Sequence, residues 1–181
     1  LIIVLLPYLL IFGPAMAQVA PFVENKGQWA DEVLAKVEFS GGSLWLRQGG
    51  MTWQFLDMER LDEHHHLTVD SGLSNLPEKM LLDVSVVKVD FLNGGESRGF
   101  EGGEPWDQGE WNFLLGNDPE KWGIGAEGFR SVRMKEIWPG IDMRWYWEGG
   151  NLKYDFEVLS GDPSRIELAF EGQTDLALTS T

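Results

Sequence analysis

Residues 141–158 read IDMRWYWEGGNLKYDFEV. Ile141, Met143, Trp145 and Trp147 alternate with Asp142, Arg144, Tyr146 and Glu148. Beyond Gly149 and Gly150 the alternation resumes, with Leu152, Tyr154, Phe156 and Val158 set against Lys153, Asp155 and Glu157. A period of two marks a strand with one face in a core, and a glycine pair suits a two-residue hairpin turn. Such a turn places Trp147 opposite Leu152, Trp145 opposite Tyr154 and Met143 opposite Phe156 on one face. On the other face Arg144 meets Asp155 and Tyr146 meets Lys153, which leaves Asp142 against Glu157 as the one like-charge pair. A slip of a single residue would turn the aromatic set into water, so the register is strongly specified. The hairpin points to an antiparallel, all-β protein.

The rest of the chain fits that class. Residues 33–39 alternate Val33, Ala35, Val37 and Phe39 with Leu34, Lys36 and Glu38. Residues 44–47 and 51–55 flank Gln48, Gly49 and Gly50, a connection of hairpin length. Residues 81–92 (LLDVSVVKVDFL) form the richest β run, but their apolar phase slips by one at Val86 and Val87. The slip predicts a β-bulge, or else a strand buried on both faces. Short strands are expected over 111–115, 129–134, 166–170 and 176–178, with helical turns near 118–122 and 133–138. Residues 57–77 show no period and read as loop, and the glycine-rich, acidic stretch 93–109 (NGGESRGFEGGEPWDQG) reads as a surface excursion. No repeat of fixed period is present, so the expected architecture is an antiparallel β-sandwich with few short helical turns.

Residues 1–17 (LIIVLLPYLLIFGPAMA) carry almost no polar side chain and end in Ala15-Met16-Ala17, the small-x-small pattern of a signal-peptidase site. The run is shorter than the roughly 20 residues a membrane-spanning helix needs, and Pro7, Gly13 and Pro14 interrupt it. A cleaved signal peptide over 1–17 is therefore expected, with 18–181 as a single β domain at the front of a larger exported protein. The sequence opens at Leu1, with neither Met nor a basic residue ahead of the apolar run, as a piece of a longer chain would. Against 14 Lys and Arg stand 29 Asp and Glu, a net charge of −15 at pH 7. That surface repels phosphate backbones and anionic lipid heads, which argues against nucleic-acid or membrane-surface partners. With no Cys there is no disulfide, thiolate metal site or cysteine nucleophile. The 9 Trp and 10 Phe supply material for a core that needs no covalent staple.

Four separated stretches carry a family resemblance: FVENKGQW at 22–29, NFLLGNDPEKW at 112–122, WPGID at 138–142 and LKYDF at 152–156. In this order they resemble an uncharacterised β domain at the N-terminus of large bacterial surface proteins. Those proteins continue into SBBP-type propeller repeats and PKD-like modules and end in gliding-motility-associated or type IX secretion sorting domains. The resemblance runs from about residue 22 to about residue 178. It implies a place at the cell surface and downstream modules of the same polypeptide as partners, and it brings no catalytic residue with it. The chain departs from the usual pattern at 106–111, where a Tyr-rich approach is expected.

Candidate sites are few. His64 and His66 fall on one side of an extended segment, as two metal ligands would, but no further ligand follows at a metal-site spacing. Glu96, Glu101, Glu104, Asp107 and Glu110 crowd the glycine-rich loop without the spaced ladder of a calcium site. Asn117-Asp118-Pro119 and Pro139-Gly140-Ile141-Asp142 have the chemistry of turns. No Gly-x-Ser-x-Gly elbow, His-Glu-x-x-His or phosphate loop occurs. No cofactor and no enzymatic activity are expected. Nine Trp exceed what one core takes fully inside, and Trp106, in its polar loop, is the best exposed candidate for ligand binding. The functional expectation is a structural or interaction module of an adhesive or gliding-related surface protein. The alternative is a carbohydrate-binding module using exposed Trp, with a glycoside hydrolase a more distant third.

Overall fold

A computed structural model describes residues 19–57, 83–95, 97, 99–107 and 109–173. Thirteen strands appear in chain order: β1 (Phe22–Glu24), β2 (Val33–Phe39), β3 (Gly42–Arg47), β4 (Gly50–Leu56), β5 (Val84–Phe91), β6 (Gly99–Gly102), β7 (Trp111–Phe113), β8 (Gly123–Ala126), β9 (Gly128–Phe129), β10 (Ser131–Trp138), β11 (Ile141–Glu148), β12 (Asn151–Val158) and β13 (Leu168–Glu171). They build one sheet in the order β13-β5-β4-β3-β2-β1-β9, a second in the order β12-β11-β10-β6, and a small β7-β8 ribbon. All pairings are antiparallel. Among the described residues no helix is long and apolar enough to cross a membrane.

The core lies between the two large sheets. Phe22, Val37, Leu44, Leu46 and Met51 from the first sheet meet Val132, Met134, Ile141, Met143 and Trp145 from the second, all essentially inaccessible to water. Trp138 and Trp145 are fully buried, and each removes about 150–250 Å² from water, a gross gain of about 4–6 kcal/mol. Every register predicted for the β11-β12 hairpin is present: Trp147 faces Leu152, Trp145 faces Tyr154, Met143 faces Phe156, Arg144 faces Asp155 and Tyr146 faces Lys153. The β3-β4 hairpin closes through Arg47 opposite Gly50.

Four expectations need correction. Residues 84–91 pair with β4 without any register shift, so there is no bulge at Val86 and Val87. Val87, Val89 and Phe91 turn towards the core, and Val84 and Val86 lie exposed on the opposite phase. The stretch 133–138 is strand rather than helical turn, and its irregularity is a register shift between Met134 and Trp138. There Glu136 takes a φ of +50°, and the buried Asp142 carboxylate accepts the Glu136 N–H at 2.8 Å. Asp142 thus braces a bulge, beyond forming a turn, and the like-charge pair is relieved because Glu157 reaches Arg133 at 2.8 Å. Finally, the glycine-rich excursion contains β6. Its Gly102 lies under the Phe129 ring so closely that a Cβ would fall 2.2 Å from it.

The expected helical turn at 118–122 is present as a 3-10 turn over Pro119–Lys121. The strand expected at 166–170 is β13, displaced towards Glu171, and the one expected at 176–178 lies outside the described residues.

Candidate functional site: an aromatic cleft on the outer face of the large sheet

The segment after β1 is tied into a knot by its own side chains. Asn25 Nδ2 donates to the carbonyls of Ala30 and Val33, each at 2.9 Å, while Asn25 Oδ1 accepts the N–H of Gly27 at 3.0 Å and of Trp29 at 3.2 Å. Gln28 is buried, donates to the Glu24 carbonyl at 2.7 Å and accepts the Lys26 N–H at 2.6 Å. Gly27 bends the chain at φ +105°, a conformation that favours glycine. This knot sets Trp29 onto the outer face of the large sheet, edge-on to Trp45 at 5.3 Å and tilted against Phe113 of β7 at 5.5 Å. A Cβ on Gly123 would lie 2.3 Å from Gln28 Oε1, so the knot packs directly against β8.

Around these rings lies a cleft of about 240 Å³, lined by Trp29, Trp111, Phe113, Pro21, Lys36 and Glu38 among others. Trp111 is held over Gly128, where a Cβ would fall 2.5 Å from the ring. Trp45 is fixed from behind, its indole N–H donating to Gln54 Oε1 at 2.9 Å. The Lys36 ammonium sits 4.6 Å from the Trp45 ring centroid, a cation–π contact, and pairs with Glu38 at the lip of the cleft. The site is apolar within and zwitterionic at one rim. Two other depressions are more polar: about 260 Å³ beside Ser131, Arg133 and Arg144, and about 330 Å³ beside Glu24, Asp31 and Phe100.

Trp106 stands elsewhere. It is half-buried, one ring face lies 4.9 Å from the Arg130 guanidinium, and its main-chain N–H donates to the Gly128 carbonyl at 2.8 Å. Arg130 in turn pairs with Asp107 and Glu104. In the same acidic loop Glu101 pairs with Lys135 at 2.6 Å, and the Lys135 bond holds the Glu101 carboxyl below its usual range. Among the described residues no three acidic or histidine side chains come together as a metal site. His64 and His66, and Glu96 of the loop, lie outside those residues.

Sequence reasoning passed over Trp29 and Phe113 as site residues. The available signal was that each sits inside a stretch carrying the resemblance, and these two stretches meet in space. In the second of them, Asn112 Oδ1 accepts the Gly125 N–H at 2.9 Å, Trp122 donates to the Gly116 carbonyl at 3.2 Å and Asp118 accepts the Glu120 N–H at 3.2 Å. Fold and site together define an antiparallel two-sheet β module whose motif side chains brace its own backbone around an aromatic cleft. The chain belongs to the family of the domain of unknown function DUF7948, which matches residues 22–181. No curated protein and no solved structure matches it.

Proposed function

We propose that the chain is a non-catalytic structural and interaction module at the front of an exported surface protein, packed beside downstream modules of the SBBP, PKD-like or sorting type and contributing to adhesion or gliding. One observation carries this reading: Asn25, Gln28, Asn112, Asp118 and Asp142, five polar residues of the first three motif stretches, spend their side chains on main-chain amides and carbonyls of the same domain. Side chains committed in this way build a scaffold. Removing residues 18–181 from the full-length protein is expected to reduce surface display or adhesion. Unchanged display and adhesion in the deletion strain would end the proposal.

A second reading, a carbohydrate-binding module, draws support from the cleft, because flat apolar rings beside a charged lip suit the two faces of a sugar ring. Polysaccharides should then shift the intrinsic Trp fluorescence of the wild type, and Trp111→Ala should abolish the shift while Trp106→Ala retains it. A Trp111→Ala response equal to wild type would remove the cleft from this reading.

A further inference from the structure

The LKYDF motif contributes none of the side-chain bonds to main-chain groups on which the scaffold reading rests. It occupies β12, the edge of the smaller sheet, and among the described residues no strand pairs with its far side. In the two-residue hairpin Glu148 faces Asn151, and the pair that flanks such a turn exchanges hydrogen bonds. The Leu159 N–H donating to the Gly140 carbonyl at 2.9 Å continues the same phase. The main-chain groups of Asn151, Lys153, Asp155 and Glu157 therefore point to β11, and those of Leu152, Tyr154, Phe156 and Val158 point away from the sheet. The free edge is also apolar on the core-facing side: Tyr154 is 41% exposed and Val158 44%.

We infer that β12 pairs antiparallel with β12 of a second copy of this chain, about a two-fold axis at Tyr154. The charge pattern selects both occupant and register. Centred on Tyr154, Lys153 faces Asp155 of the second copy and Asp155 faces its Lys153, while Leu152 meets Phe156 and Tyr154 meets Tyr154. Centring on Lys153 or Asp155 sets that residue against its own copy, centring on Phe156 sets Asp155 against Glu157, and centring on Leu152 leaves Lys153 opposite Asn151 and Asp155 opposite Gly149 with no ion pair. Like charges directly opposite each other destabilise a strand pair. Charged side chains commonly guard an edge strand against indiscriminate pairing; here the same charges favour the one alignment that pairs both of them. The outward-pointing groups of Leu152, Tyr154 and Phe156 would then exchange about six main-chain hydrogen bonds across the axis. This inference rests on the β12 edge alone and is independent of the scaffold and carbohydrate readings.

Sedimentation of the wild-type chain should give twice the monomer mass. Lys153→Asp and Asp155→Lys should each weaken self-association about tenfold, because two symmetry-related contacts change sign at once. An equimolar mixture of the two variants should recover the wild-type affinity, since both carboxylates of one chain then face both ammonium groups of the other. That recovery separates pairing from folding. Within the chain each substitution worsens a contact, with Glu148 or with Arg144, and mixing repairs neither. A monomeric wild type, variants that associate as tightly as wild type, or a mixture no tighter than its components would overturn the inference.

Discussion

Trp138 and Trp145 are both fully buried, yet their indole N–H groups have different surroundings. Trp138 Nε1 donates to the Leu92 carbonyl at 2.9 Å, whereas Trp145 Nε1 has no acceptor among the described residues, and the Trp145 and Tyr154 rings pack with their centroids 4.7 Å apart. Replacing either by Phe removes similar volume, but Trp138→Phe also strands a carbonyl while Trp145→Phe removes a desolvated donor. Urea unfolding should show Trp138→Phe losing about 1 kcal/mol more than Trp145→Phe; equal losses would mean that the Trp145 N–H is satisfied in solution. Asp142 carries a sharper expectation. Its buried carboxylate holds the Glu136 N–H across the β10 bulge, so Asp142→Ala should cost about 2 kcal/mol and Asp142→Asn, which keeps an acceptor, clearly less. Alternation in the sequence identified Trp145 as core and flagged Asp142 as the misfit of its hairpin. It gave no hint of the orphan N–H or of the bulge, because both depend on where a neighbouring strand places its backbone.

The long hairpins were legible because eight-residue strands repeat their period often enough to exclude other readings. β1, β6, β8 and β9 have two to four residues each, too few for a period. Three of them carry glycines that admit a neighbouring side chain, as Gly102 admits Phe129. The aromatic cleft was illegible for the same reason, since β7, β8 and the Asn25 knot assemble it from short pieces. At the scale of paired strands, one electrostatic contact bears on pH. Burial alone would raise the Asp90 pKa, but hydrogen bonds and charge from Lys88 and Arg47 outweigh it and hold the carboxyl below its ordinary 3.8. Arg47 reaches Asp90 at 2.9 Å across β4, joining β3 to β5. A folded-state pKa below the unfolded one adds stability that is complete above the unfolded value and is lost as pH falls through the folded one. Asp90→Asn should therefore lower the unfolding free energy from urea titration at pH 7, by no more than about 1 kcal/mol given the exposure of the pair. The gap from wild type should narrow below about pH 4. A gap that persisted or widened in acid would assign the loss to packing instead.

For the molecule as a whole the dominant electrostatic fact is its net charge of −15 at pH 7, which opposes compaction. Working the other way are ion pairs such as Lys26–Glu24 and Lys88–Asp90, most of whose side chains are partly open to solvent, so that each adds little. Salt weakens both effects, so the sign of its influence tells which is larger. Raising ionic strength from about 10 mM to 0.15 M shortens the screening length from about 30 Å to about 8 Å. That change silences repulsion across the domain while leaving contacts near 3 Å only partly screened. The melting temperature should accordingly rise, by about 2–4 °C if the relief is about 1 kcal/mol in a chain of this size. Near the isoelectric point of 4.4 the excess charge vanishes, and the same addition of salt should leave the melting temperature flat or slightly lower. A fall at pH 7 would show instead that the surface pairs outweigh the net repulsion, and that acidic residues in this domain are placed for local contacts more than for solubility.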